Sequence, residues 1–394
     1  MLKKRECVTI KQLLILLLGI IPIGYQIVNV YNLNSNWIYL GFIIINVLFL
    51  FKLKGKIPIN KKVLFISGNF IIAYILIPIL FNTIGNVNLK NSILYMGLFL
   101  LFINALTIIT LFLKKEDYKN ILISTLIGNS LFLVFMIFLN INQINSGTVL
   151  SIITGNRPIR ADFSFGHPNT AAMFIFIEIL LIYLIFIDIF NKKIMGNTLI
   201  VMFILPLLAT GSRTSLYSLL LFFVLELYRK KIYKIKSNYK KFFVFTIVLP
   251  IGIFLLSKFD LTTFLNSSSG RNEFVKYNIN YIMASNRLIM GFGPTPVTSM
   301  RDFLPELVIS DTWYITHILS FGIISLGIIM VNIIYLLIIF IKNINVKNGH
   351  VISLIIVLLF YSGAENVLFI PGTIISWFFW MIIYLELKFI NSVD

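Results

Sequence analysis

The stretch NTLIVMFILPLLATGSRTSLYSLLLFFVLELY, residues 197–228, decides how this chain folds. It consists of two apolar arms around a polar tip, Thr210-Gly211-Ser212-Arg213-Thr214-Ser215. Read as one helix broken at Gly211, it crosses a membrane once. Read as a hairpin, it crosses twice. The residues that follow decide between the two, because seven cations stand between Arg229 and Lys241. Cytoplasmic loops carry the excess of Lys and Arg, and only two crossings keep this loop on the same side as the other cation-rich segments. A hairpin is therefore expected, with arms at 197–210 and 214–228. Each arm is about 14–15 residues, or about 22 Å, short of a hydrocarbon core of roughly 30 Å. The tip then sits below the outer membrane surface.

The rest of the chain reads the same way. Of 394 residues, 58% are hydrophobic and 12% charged, half the roughly 25% charge of a soluble domain. Such a chain cannot cover itself in water, so its main solvent is lipid. The apolar runs show no period-two alternation, which excludes an outer-membrane barrel. The expected spans are 12–31, 36–52, 62–81, 92–113, 120–140, 169–190, 197–210, 214–228, 242–257, 312–341, 350–366 and 370–388. The expectation is an all-α polytopic bundle of about twelve transmembrane helices, one integral membrane domain over 1–394, with both termini cytoplasmic. Lys3, Lys4 and Arg5 precede an apolar run without a small-residue cleavage site, so they read as the flank of a first anchored helix. The single cysteine, Cys7, cannot form an internal disulfide.

This topology puts 24 of the 33 basic residues inside. The net charge of +18 is thus a topology signal, spread in short clusters between spans, and does not point to nucleic acid. Two outer segments are long enough to hold structure, 141–168 and 258–311. In the second, Ser267-Ser268-Ser269-Gly270 reads as a helix start and Asn272 to Ala284 as a short interfacial helix, followed by the turn Gly291-Phe292-Gly293-Pro294.

The outer face holds nine cations: Lys90, Arg157, Arg160, Arg213, Lys258, Arg271, Lys276, Arg287 and Arg301. Six are Arg, whereas the inner face is mostly Lys. Lys suffices for topology, but the planar fork of Arg binds phosphate oxygens in pairs, so the enrichment points to an anionic ligand at the outer leaflet. Arg213 at a sunken tip is costly unless paired. The hydroxyls of Thr210, Ser212, Thr214 and Ser215 could share a phosphate with it, or Arg213 could snorkel to lipid headgroups.

Upstream, Arg157 to Asn169 combines Arg157, Arg160, Asp162 and His167 just before a span, with Pro168 and Asn169 as a helix start. His167 reads either as a structural, hydrogen-bonded histidine or as part of a site. Asp311 reads as an N-cap of 312–341 or as a base at the membrane surface. His317, about 9 Å further along that helix, reads as a packed histidine or a second base. Glu178, mid-span, should face the bundle interior with a partner, an ion pair before a catalytic role.

Several chemistries drop out. Three scattered histidines lack zinc spacing, no glycine-rich phosphate loop is present, and Gly-Ser-Arg-Thr-Ser is not a nucleophile elbow. The first outer loop, Asn32 to Asn36, has no carboxylate.

The ordered pieces Arg160 with Phe165-Gly-His167-Pro-Asn169, Thr210-Gly-Ser-Arg213-Thr-Ser, Ser269-Gly-Arg271, Gly291-Phe-Gly293, and Asp311-Thr-Trp-Tyr314 with Gly322 span roughly 155–325. Together they resemble the O-antigen polymerase and ligase superfamily, in particular Wzy-type capsular or exopolysaccharide polymerases. The resemblance implies transfer of a glycan from undecaprenyl diphosphate to a sugar hydroxyl at the outer face of the bacterial plasma membrane, without metal or cofactor. It implies as partners the lipid-linked oligosaccharide, the bilayer, a flippase and a chain-length regulator. The ligase branch has a histidine where this chain has Asp311, which favours a polymerase. In this chemistry Arg213, Arg271, Arg287, Arg160 and Arg157 are the candidates to carry charge on the departing diphosphate. Asp311, His317 or His167 would serve as base, supported by Ser212, Thr214, Asp162, Asn169 and Glu178. Phe274, Tyr277 and Tyr281 could stack on sugars or simply pack. The competing readings are a lipid-linked oligosaccharide flippase or other transporter, which Glu178 suits, and ligase-like transfer to a lipid or wall acceptor.

Overall fold

The computed structural model describes residues 60–84, 86–145, 147–148, 160–232, 271–296, 312–343 and 350–390, with isolated positions at 15, 23, 24, 43, 46, 300, 302 and 304. Every regular element among the described residues is helical. In chain order these are α1 (Lys61–Leu80), α2 (Leu89–Phe112), α3 (Lys115–Leu139), α4 (Pro168–Ile189), α5 (Lys193–Ala209), α6 (Arg213–Ile232), α7 (Arg271–Ala284), α8 (Trp313–Lys342), α9 (His350–Ser362) and α10 (Ile374–Phe389). The expected span at 242–257 lies outside the described residues, as do those at 12–31 and 36–52 except for the isolated positions just named, and Arg157, Arg301 and Asp311 lie outside as well.

Five of these helices are long and apolar enough to cross a membrane: α1, nearly all of α2 and α3, α4 and α8. Their surfaces are arranged as lipid requires. On α3, Ile127, Leu131, Val134, Phe135 and Phe138 are exposed, while Ser124, Thr125 and Asn129 are buried. A helix in water has the reverse pattern; polar groups turned inward belong to a bundle in hydrocarbon.

Local sequence starts and stops the helices. Asn60 accepts from the N–H groups of Lys62 and Val63 at 3.0 and 3.3 Å, opening α1. His167 caps α4, accepting from Asn169 N–H at 3.2 Å, with Pro168 in the first turn, where its missing N–H costs nothing. The N-cap position of α8 is Thr312, one residue past Asp311, and its side chain makes no cap hydrogen bond there. Helix α6 runs on to Ile232, beyond the expected end at 228.

The chain gathers into two compact units. The first comprises Met1–Gly55, Phe112–Leu219 and Gly372–Met381; the second comprises Lys56–Leu111, Leu220–Pro371 and Ile382–Asp394. In the first, α4 packs on α3 and α5, and 83% of its span is buried. In the second, α8 is the hub, packing on α1, α7 and α9.

Three helices lose their regular winding within the apolar stretch, among them α4, which is π-helical over Tyr183–Ile189. Helix α1 widens to a π-helical turn at Ile72–Leu76. Helix α8 is broken at Gly322, whose φ of 79° and ψ of 173° are not helical.

Candidate functional site

In the first unit, a connected set of polar groups surrounds the end of α5. The turn Thr210-Gly211-Ser212 separates α5 from α6, and Gly211 has φ 62°, the left-handed geometry that ends helices at glycine. Arg160 holds this turn. Its Nε donates to Thr210 O at 2.7 Å, and its Nη2 donates to Asn169 Oδ1 at 2.6 Å. The neighbouring Ala161 N–H donates to Ala209 O at 2.9 Å. One guanidinium thus ties the last carbonyls of α5 to the first turn of α4. A Cβ on Gly211 would lie 3.1 Å from Arg160 Nε, so the turn and the arginine fit closely. Asn169 also donates its N–H to His167 Nδ1, linking Arg160, Asn169 and the exposed His167 in one chain of contacts.

The loop before α4 is shaped by a residue that the sequence did not single out. Gln143 Oε1 accepts from the N–H groups of Asp162 and Phe163 at 3.0 and 2.8 Å, and its Nε2 donates to Asp162 Oδ1 at 3.3 Å. Asp162 Oδ1 also accepts from Ser164 N–H at 3.1 Å. Phe163 and Phe165 are buried beneath this loop, and Phe165 packs on Phe132 and Phe174. Asp162 is therefore a loop-shaping acceptor. Nothing local in the sequence pairs a glutamine at 143 with an aspartate at 162.

Arg213 opens α6 and is half-exposed. The hydroxyls expected to share a phosphate with it are buried instead: Thr210 Oγ1 donates to Leu207 O at 2.7 Å, and Ser212 Oγ and Ser215 Oγ pair at 3.1 Å. Thr214 is buried as well. The tip also carries a guanidinium on the first residue of a helix, where the backbone N–H groups give a positive end.

Glu178 is buried mid-span, as expected of an intramembrane acid. Its partners are Asn129 Nδ2 at 2.7 Å and Ser130 Oγ, so neutral donors from α3 take the place of the expected ion pair.

In the second unit, the polar groups gather at the break in α8. Breaking a helix strands backbone groups in a place without water, and the segment after α7 supplies their partners. Phe292 N–H donates to Leu319 O at 2.7 Å, Gly293 N–H to Ser320 O at 3.1 Å, and Ile323 N–H to Leu288 O at 3.0 Å. Ser320 Oγ donates to Thr295 O at 2.9 Å. The Gly291-Phe-Gly293 and Gly322 pieces of the motif are thus two sides of one joint. A Cβ on Gly322 would lie 2.1 Å from Ile289 O, which is impossible.

His317 sits beside this joint, 3% exposed. Its ring stacks on Trp313 at 4.6 Å and Phe321 at 5.1 Å, and meets Tyr74 edge-on at 5.4 Å. Its Nε2 lies 3.0 Å from Ser325 Oγ, which donates to Ala73 O in the π-helical turn of α1. Eight residues along a straight helix span about 12 Å, so this contact exists because α8 is broken between them. These contacts account for His317 as a packed histidine.

Arg287 is half-buried after α7; its N–H donates to Ile282 O at 3.0 Å and its carbonyl accepts from Gly291 N–H at 2.7 Å. Arg271 is the first residue of α7. Tyr281 packs on Phe292, whereas Phe274 and Tyr277 are exposed. Arg160, His167, Asn169 and Arg213 fall in the first unit and Arg271, Arg287 and His317 in the second.

No family model, characterised protein or solved structure matches this chain.

One further buried group was missed by sequence. Glu226 on α6 accepts from Ser353 Oγ at 2.8 Å and lies 2.8 Å from Arg229 Nε, an ion pair by distance rather than an aligned hydrogen bond. Arg229 counted as the first loop cation; it is instead buried within the helix.

Proposed function

We propose that this protein is a membrane glycosyltransferase of the polysaccharide-polymerase kind. It would cross the bacterial plasma membrane twelve times with both termini inside. At the outer face it transfers a glycan from undecaprenyl diphosphate to a hydroxyl of another lipid-linked repeat unit. The bond from the anomeric carbon to the diphosphate oxygen breaks, the acceptor oxygen bonds to that carbon, and its proton passes to a base. Negative charge grows on the leaving diphosphate, and fixed guanidinium groups in a partly desolvated site stabilise it.

The observation that carries the reading is the setting of Arg213. It stands at the positive end of α6 directly after a turn that Arg160 and Gly211 hold in shape. Helix end and guanidinium add at the same place, and each charged hydrogen bond to a phosphate oxygen contributes roughly 1.5–3 kcal/mol. Arg160 acts in this reading as a positioning residue, since its Nε and Nη2 already hold Thr210 and Asn169. The family resemblance also makes Arg271 and Arg287, in the second unit, candidate anion ligands. His317 keeps the α8 joint, which leaves Asp311 or the exposed His167 as the proton acceptor. Arg213→Ala should abolish long polymer while single lipid-linked repeats accumulate on the outer leaflet, read on gels of surface glycan. Full-length polymer from that variant would remove the assignment.

Glu178, with Asn129 and Ser130, favours a second reading, a flippase for the same lipid-linked glycan, since transporters keep ionisable groups at mid-depth. The deletion strain separates the two: a repeat unit trapped on the inner leaflet means transport, one on the outer leaflet means polymerisation.

A further inference from the structure

Helix α7 is not one of the membrane-crossing helices, yet more than one side of it is apolar. One face packs into the second unit: Ile282 is buried with Phe292, Met300, Ile315 and Leu319, and Val275, Tyr281 and Ile318 close around them. At about 100° per residue, Glu273, Lys276 and Asn280 form a polar ridge opposite that face, all exposed. On one side of the ridge, Ile279 is 37% and Met283 56% exposed. On the other, Phe274 is 38% and Tyr277 45% exposed.

The aliphatic side does not end with the helix. The turn after Ala284 places Ile289, 52% exposed, where its carbonyl nearly touches the Gly322 backbone, and the next residue on α8, Ile323, is 45% exposed. Ile289 thus stands beside α8 where Ile323 begins a series of exposed apolar residues that continues through Val331 and Ile334. The level on α8 is also defined. Helix α7 packs on Ile315, Ile318 and Leu319, in the first two turns of a helix of 30 residues. The break at Gly322 leaves residues 323–342 as the continuous helical part, about 30 Å long, which by itself matches a hydrocarbon core of roughly 30 Å, so the turns before the break stand at the headgroup level.

We infer that α7 lies sideways in the membrane–water interface, with its Ile279/Met283 side in the lipid and its polar ridge upward. Lys276 on the ridge then meets lipid phosphates, an arrangement suited to interfacial helices. Seated there, α7 holds its first residue, Arg271, at the depth where the diphosphate of a polyprenyl-linked donor also lies. The donor reaches the site sideways through the leaflet. This last step rests on the proposed polymerase function; the seat of the helix does not.

The single native cysteine makes the test direct. On a Cys7→Ser background, Met283→Cys or Tyr277→Cys is labelled with an environment-sensitive fluorophore. Each labelled protein is placed in nanodiscs of phosphatidylethanolamine and phosphatidylglycerol, with or without brominated acyl chains. Blue-shifted emission lost to brominated lipid at position 283, and neither effect at 277, is the expected result. A water-like, unquenched label at 283 overturns the interfacial seat whatever happens to polymer, and so does equal quenching at both positions. With the 283 pattern intact, normal polymer from Arg271→Ala would instead count against the polymerase reading alone.

Discussion

Two helix breaks, at Gly211 and at Gly322, solve the same problem in different ways. Each is a left-handed glycine inside an apolar stretch, and each strands backbone groups. At Gly322 the gap is filled by backbone from another segment, residues 288–293, and the surroundings are aromatic and buried. At Gly211 the gap is held by the Arg160 side chain together with the Ala161 N–H, which donates to Ala209 O, and the helix that follows begins on a half-exposed arginine. A break closed by backbone has no capacity left for a ligand. The break held in part by a side chain is followed directly by a helix that starts on a half-exposed cation, and the proposed chemistry is placed there.

That contrast can be broken or sharpened by mutation. The largest effect is expected from Gly322→Ala. Its Cβ would overlap Ile289 O, and strain of about 1–3 kcal/mol comes from the backbone conformation alone. Loss of folded protein in detergent, judged by yield and thermal unfolding, is the expected outcome; a normal melting profile would mean that the joint is not built this way. Next is Arg160→Ala, which leaves the Thr210 carbonyl and the Asn169 amide without the guanidinium, at about 1–3 kcal/mol. Unfolding should come earlier and polymer should vanish. If Arg160→Ala melted normally while polymer fell, Arg160 would act on the ligand and not on the turn.

Gly211→Ala is expected to be milder. The left-handed φ costs about 1–2 kcal/mol, and the atoms met belong to an arginine side chain that can shift by a few tenths of an ångström. Shortened polymer at reduced temperature tolerance is expected; damage equal to Gly322→Ala would erase the distinction between the two breaks. The smallest effect belongs to Tyr74→Phe. Tyr74 Oη, near the Gly322 joint, is fully buried and makes no hydrogen bond among the described residues, so its removal should leave the melting temperature unchanged or slightly raised. A clear drop would reveal a partner for that hydroxyl and reopen the joint as a binding place.

How far the sequence could be read depended on the range of each interaction. The apolar run at 312–341 was recognisable because hydrocarbon thickness acts on consecutive residues, and Trp313–Lys342 is a helix. Pro168 and Asn169 were legible as a helix start for the same local reason, as was the helix within 272–284. The interruption at Thr210-Gly211-Ser212 could be anticipated from its polarity. Its fastener could not, since Arg160 and Thr210 are fifty residues apart. Thr210, Ser212 and Ser215 looked like phosphate ligands because hydroxyls in sequence have no visible direction; three dimensions turned them inward.

Taken alone, the amino-acid order determined that this protein is made of helices fit for lipid and where most of those helices begin and end. Solvent preference and chain stiffness are properties of neighbouring residues, so both are written locally. Only the tertiary structure decided that His317 meets Ser325 across a broken helix, that Gln143 shapes the loop at Asp162, and that Arg160 serves the backbone. Those pairings join distant segments, and hydrogen bonds a few tenths of an ångström from failure depend on how whole helices pack, which no local pattern records.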